Sequence, residues 1–143
     1  MLNGNLATIF ILVAVLLGAI VGVILLILSQ RSGMAKLNVS RYQTKWLEIE
    51  NSLSRDAASS WQLAILNADK LLDQALKESR FKGETMGERM KSANKVWRNI
   101  DHVWGAHKIR NRLAHEPDMT VDYNTTLRTL SAFKQALKDL GAI

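Results

Sequence analysis

The apolar and polar positions divide the chain into two regimes. From Leu6 to Leu28 only Thr8, Gly18 and Gly22 interrupt a strongly apolar run, and residues 1–30 contain no charged side chain. A helix over those 23 residues covers about 34 Å, enough to cross a hydrocarbon layer of about 30 Å. A helix that is apolar all round presents no face to water, so the pattern predicts a single transmembrane anchor within residues 1–30. A cleaved signal peptide would need a basic leader, a shorter apolar core and a small-x-small cleavage site. Here Asn3 and Asn5 precede the run and Ser29-Gln30-Arg31 follows it. Gly18 and Gly22 form a lone small-x-x-x-small pair, a weak signal that two spans approach each other closely.

Beyond a short linker, residues 31–38, the apolar positions recur at helical spacing and nowhere alternate as in a strand. A first helix over 39–53 aligns Tyr42, Trp46, Ile49 and Leu53; a second, over 57–81, aligns Trp61, Ala64, Ile65, Ala68, Leu71, Leu72 and Ala75 and should stop at Gly83. Ser54-Arg-Asp-Ala-Ala-Ser-Ser between them holds candidate N-caps. Thr85 and Glu88 have capping-box spacing at the head of a short helical or turn segment. A third long helix carries Val96, Ile100, Val103 and Trp104 and should end near His115, because Pro117 disfavours helical backbone at Glu116. The last helix, about 121–140, aligns Tyr123, Leu127, Leu130, Phe133, Leu137 and Leu140, with Gly141 after it. The expected fold is all-α: a transmembrane helix followed by an up-and-down four-helix bundle over residues 39–143. Pairs such as Asp69 with Lys70 and Asp73 with Lys77 read as its solvated face.

Composition sharpens this picture at three points. With 143 residues there is room for one compact domain and an appendage. The absence of cysteine excludes disulfides, thiolate metal sites and Cys nucleophiles. Arg31, Lys36, Arg41 and Lys45 follow the span with no acid among them, so the positive-inside rule places the C-terminal domain in the cytoplasm of a single-pass cell-membrane protein. Those cations account for four of the net six positive charges. Most of the remaining imbalance is local, since residues 80–112 hold nine cations against three acids. A polyanion-binding surface is the functional class that such a segment suggests.

That segment runs into Arg110-Asn111-Arg112-Leu113-Ala114-His115. The motif resembles the signature of the HEPN superfamily, in which an Arg followed by a polar residue stands four to six positions before a His near a helix end. The resemblance covers roughly residues 40–143, and the motif's place before the last helix of a small all-α domain agrees with it. It implies a homodimer engaging RNA, with metal-independent endoribonuclease chemistry in the active branches. Arg110, Asn111 and His115 are then the catalytic candidates, and Lys108, Arg112 and His107 the candidates for RNA contact. An imidazole accepts a proton from a ribose 2′-OH near neutral pH, and a guanidinium stabilises charge growing on the phosphate. DNA lacks that hydroxyl.

Two considerations stand against a simple version of this site. Residues five apart on a straight helix point about 140° away from each other, so Arg110 and His115 face one phosphate only if the helix bends or if two copies share a cleft. Shared anchoring in a lipid bilayer favours the second arrangement, because tethering raises the effective concentration of a partner copy. An Arg and a His at a helix C-terminus also interact with its last carbonyls without any catalysis. The alternative is therefore a non-catalytic, membrane-tethered module that binds a protein partner or another copy of itself. No metal or cofactor is expected, since His102, His107 and His115 lack the i, i+4 spacing of a helical zinc site and no phosphate-cradling glycine loop is present.

Overall fold

The computed structural model describes residues 2–30 and 35–143, with side chains for 8–25 and 35–143. Arg31, the first of the expected topogenic cations, and the first half of the linker lie outside these residues. Two compact units result, Met1–Met34 and Ala35–Ile143. The first contains helix α1, Leu2–Gln30. Its stretch Thr8–Leu25 is long and apolar enough to cross a membrane, and none of it is buried. The large apolar side chains from Ile9 to Leu25 stand 46–71 % exposed, which in water would be a severe cost and in lipid is none.

The second unit is helical throughout, with no strand among the described residues. It comprises α2 (Val39–Ser52), α3 (Ala58–Glu78), the short α4 (Met86–Ser92), α5 (Ile100–His115) and α6 (Tyr123–Asp139). Helix α3 is central and packs against the other four. Its buried stripe of Ala64, Ile65, Ala68, Leu71, Leu72, Ala75 and Leu76 meets Tyr42 and Trp46 of α2, Met86 and Met90 of α4, Val103 and Ala106 of α5, and Phe133, Ala136 and Leu137 of α6 in one continuous core. The alanines let neighbouring backbones approach, and the larger side chains fill the layers between them.

Cross-helix contacts fix the directions. Arg41 near the start of α2 pairs with Glu78 at the end of α3, so these two run antiparallel. Trp61 and Tyr123, at the starts of α3 and α6, meet at 5.9 Å between ring centroids, so these run parallel. Asp139 at the end of α6 accepts from the Arg98 backbone N–H, just before α5, at 2.9 Å. One pole thus gathers the start of α2, the ends of α3 and α6 and the start of α5. The opposite pole holds the end of α5.

Several helix ends differ from expectation, each for a local reason. Helix α3 stops at Glu78 rather than running to 81: Ser79 caps it, the Phe81 N–H returns to Leu76 O at 3.1 Å, and Arg80 takes φ 64° where a glycine is usual. Gly83 does not terminate that helix. At φ 145° it admits the tight entry into α4, where a Cβ would lie 2.6 Å from Glu88 Cβ and 2.7 Å from Arg89 N. Thr85 and Glu88 form the expected capping box there. The third long helix begins only at Ile100, capped by Asn99, because residues 93–99 turn and Trp97 Nε1 donates to Met90 O at 3.0 Å. No serine caps α3; Ser60 instead closes the α2–α3 turn through Ser54 and Ala57. Leu127, expected in the core, stands 42 % exposed. Gly141, at φ 67°, ends α6 as its position suggested.

Two predictions test these local arguments. Replacing Arg80 by glycine should raise stability by about 1 kcal/mol by relieving the left-handed backbone, whereas Gly83→Ala should cost about 1–3 kcal/mol; urea denaturation followed by tryptophan fluorescence measures both. The fully buried Tyr42 has its phenol pushed up to about 12, by burial first and then by the Glu78 carboxylate, with Arg41 opposing. A raised folded-state value contributes stability that is complete below the ordinary value of about 10 and lost as pH climbs from there to about 12. Stability should fall across that alkaline window in the parent chain, and Tyr42→Phe should flatten the decline.

Candidate functional site

Helix α5 is unbroken from Ile100 to His115 and ends as Pro117 dictates, with Glu116 extended at φ −106°, ψ 107°. Its last two turns therefore distribute the six candidate side chains over two faces. His107, Arg110 and Asn111 turn inward toward α3. Lys108, Arg112 and His115, at spacings of four and three, share an exposed outer face. Arg110 and His115 are not brought together within one chain.

The inward group is organised by a residue absent from the sequence candidates. Asp69, in the middle of α3, is 3 % exposed. Its Oδ1 lies 2.7 Å from His107 Nδ1, and its Oδ2 lies 3.0 Å from Arg110 Nε. The second approach is an ion pair whose N–H is not aligned for a hydrogen bond, and Arg110 Nε is buried without any other acceptor. Arg110 Nη1 donates to Asn111 Oδ1 at 2.9 Å, and Asn111 Nδ2 lies 3.1 Å from His107 Nε2. The four side chains close a ring.

The ring has one self-consistent proton assignment. Because Asn111 must turn its carbonyl oxygen to Arg110, its amide nitrogen donates to His107 Nε2, which has to be an unprotonated acceptor. His107 then carries its proton on Nδ1 and donates it to Asp69. The imidazole is neutral, and the carboxylate and guanidinium cancel, so no net charge is buried. His107 is thereby a correction to the expected RNA-facing set: both ring nitrogens are spent, and Trp104 meets its ring edge-on at 6.1 Å between centroids.

One turn further along α3 stands a second carboxylate, Asp73. Arg89 of α4 reaches its Oδ1 through Nε at 2.9 Å and Nη2 at 2.7 Å, and uses Nη1 to hold Gly83 O and Glu84 O. Burial works against ionisation of Asp73, but the hydrogen bonds from Lys77 and Arg89 outweigh it and hold the carboxyl below its ordinary range. Asp69 is thus not part of a solvated face, while Asp73 forms the expected pair with exposed Lys77 at 2.7 Å and is itself half-buried. The two carboxylates clamp α5 and α4 onto α3. The signal was present in the spacing, since Asp69 stands in line with Ile65, Leu72 and Leu76 on the core stripe.

What remains chemically available is limited and specific. The Arg110 side chain is about one-third exposed, at 34 %, on a depression of about 780 Å³ shared with Asn67, Lys70 and Asn111. Its guanidinium is the inner group able to meet an anion. His115 is exposed, makes no hydrogen bond among the described residues, and borders a separate depression with Arg112, Pro117 and Met119. Arg112 is tied to Glu116 at 3.1 Å, and Lys108 is exposed. Compared with protein-family models, curated proteins and solved structures, the chain matches none.

Asp69→Ala should destabilise the domain by roughly 2–4 kcal/mol, because it leaves the Arg110 and His107 donors facing a dry interior. In a double-mutant cycle, Asp69→Ala and His107→Ala should couple by about 0.5–3 kcal/mol; strict additivity in denaturation would show that the ring is not an energetic unit.

Proposed function

We propose that this chain is a membrane-anchored, HEPN-like helical domain that engages RNA as a homodimer through the C-terminal end of α5, with the soluble unit in the cytoplasm. The observation that carries this reading is the division on α5: a partly exposed guanidinium and a free imidazole stand five residues apart on an unbroken helix, each opening on a different depression. One copy offers both halves of a phosphodiester site and cannot assemble them. Two copies joined about a twofold axis bring Arg110 of one against His115 of the other, and their shared confinement to a bilayer favours the pairing.

In such a cleft the chemistry needs no metal. His115 takes the proton of a ribose 2′-OH, and the 2′ oxygen attacks the adjacent phosphorus. The bond from phosphorus to the 5′ oxygen breaks, and that oxygen takes a proton from water. The products are a 2′,3′-cyclic phosphate and a 5′-hydroxyl end. Arg110 holds the non-bridging oxygens as their charge grows, and the Asp69–His107–Asn111 chain keeps its guanidinium in one orientation. Lys108 and Arg112, on the face of His115, meet the neighbouring phosphates.

A second reading draws on the ring itself. Arg110 is already neutralised by Asp69 and held by Asn111, as expected of a structural arginine in a non-catalytic interaction module. The full chain in detergent, incubated with mixed RNA and a chelator, separates the two. Cleavage leaving cyclic phosphate ends, and its loss by at least about 100-fold in His115→Ala, is the expected result. Cleavage that His115→Ala leaves intact sinks the nuclease. Salt-sensitive RNA binding that survives His115→Ala and weakens in Arg110→Ala, without cleavage, identifies a non-catalytic binder, whereas no binding at all leaves the protein-interaction module.

A further inference from the structure

The basic excess of residues 80–112 looks in sequence like an approach to the Arg110 motif, and the structure separates it from that motif. Four of its cations are paired with acids of the domain: Arg89 with Asp73, Arg98 with Asp139, Arg110 with Asp69 and Arg112 with Glu116. Of the remainder, Lys108 lies on the outer face of α5. Arg80, Lys82, Lys91 and Lys95 are all exposed and make no ion pair among the described residues. These four lie on adjoining segments. Arg80 and Lys82 lie in the turn after α3, and Ser92 Oγ donates to Lys82 O at 2.6 Å, bringing the end of α4 with Lys91, and the following turn with Lys95, against that segment. Between residues 80 and 95 the acids are Glu84 and Glu88, and the Glu88 carboxylate is occupied in capping the Glu84 and Thr85 N–H groups.

The pole on which this cluster sits is also the one where the chain enters the domain. Arg41, in the first turn of α2, pairs with Glu78, two residues before Arg80. Lys36 precedes it, exposed. Only residues 31–38 separate α1 from α2, and Leu37 is already buried in the domain core, so the free connection reaches about 20 Å at full extension. The end of α5, with His115, is at the opposite pole.

We propose that the Arg80, Lys82, Lys91 and Lys95 cluster is a docking surface for anionic lipid headgroups. This rests on α1 being a membrane anchor with the domain on the cytoplasmic side. A surface at the tethered pole meets the headgroups at high effective concentration, each cation contributes roughly fivefold to partition onto an anionic leaflet, and the four act over one short patch. Docking by this pole leaves His115, at the far end of α5, open to a soluble polyanion and to a second copy.

The test uses the full chain in nanodiscs of phosphatidylcholine alone and of phosphatidylcholine mixed with phosphatidylserine, read by amide hydrogen exchange. Exchange across residues 80–96 should slow several-fold in the anionic discs and return at high salt. It should lose its lipid dependence in the triple variant Lys82→Glu/Lys91→Glu/Lys95→Glu, and equally in the milder Lys→Gln triple, which guards against misfolding by charge reversal. Equal exchange in both discs overturns the proposal, as does slowing of residues 80–96 by added RNA but not by phosphatidylserine. A chain that fails to enter discs at all, or that alkaline carbonate strips from membranes, refutes the anchor on which the proposal rests; a chain that inserts without lipid-dependent exchange refutes the docking surface alone.

Discussion

A carboxylate cannot be carried into a helical core without compensation, and Asp69 imposes that requirement on the whole unit Ala35–Ile143. Its two oxygens are met from a single helix, by His107 and Arg110, three residues apart on the face of α5 that packs on α3. The apolar stripes of α3 and α5 alone permit a range of rotations and sliding positions, since alanine, valine and leucine contacts are forgiving. The ion pairs permit far fewer. A slide of one turn between α3 and α5 would bury an uncompensated charge, which costs several kcal/mol, so the polar ring sets the register that the hydrophobic contacts then stabilise. Asp73 and Arg89 repeat the device one turn along and, through Gly83 O and Glu84 O, hold the tight turn that a glycine at 83 makes sterically feasible.

The same register decides which motif residues are available. Rotating α5 so that His107, Arg110 and Asn111 face α3 turns Lys108, Arg112 and His115 to solvent. Arg110 is left intermediate, anchored at Nε and Nη1 yet about a third exposed. A guanidinium held in this way loses little further entropy on meeting an anion, the condition for an effective phosphate ligand and equally for a rigid structural arginine. The pairing of Asn111 with His107 explains why a polar residue follows Arg110: an apolar side chain there would strand the His107 Nε2 lone pair. Motif and scaffold are one hydrogen-bonded object.

The charge distribution separates along the helices in a similar manner. Cations of residues 80–98 fall at the pole where α2 begins, whereas the free imidazole stands at the other. Proximity in sequence between Lys95 and Arg110 conceals the length of α5 that lies between them. A net charge spread over 143 residues thus resolves into paired cations that hold helices together and unpaired ones that form a surface.

How much of this was legible in the residues themselves follows from the range of the physics. The apolar stretch Thr8–Leu25, the helical period of the rest, the stop at Pro117, the Thr85–Glu88 capping box and the glycine end of α6 were all readable, because each depends on contacts within a few residues. The late start of α5 and the left-handed Arg80 were not, since the packing of Trp97 and the Schellman closure on Leu76 override local propensity there. Asp69 escaped notice for a stronger reason. Its place on the apolar stripe marks it as inward-facing, but the lysine beside it reads as surface and its partners, 38 and 41 residues away, are known only from the fold. Local pattern determined where helices form and which stripe of each is apolar. Only the tertiary structure decided which charges are spent on one another and which are left to act, because electrostatic compensation in a dry interior depends on what lies across the gap and not on what lies next in the chain.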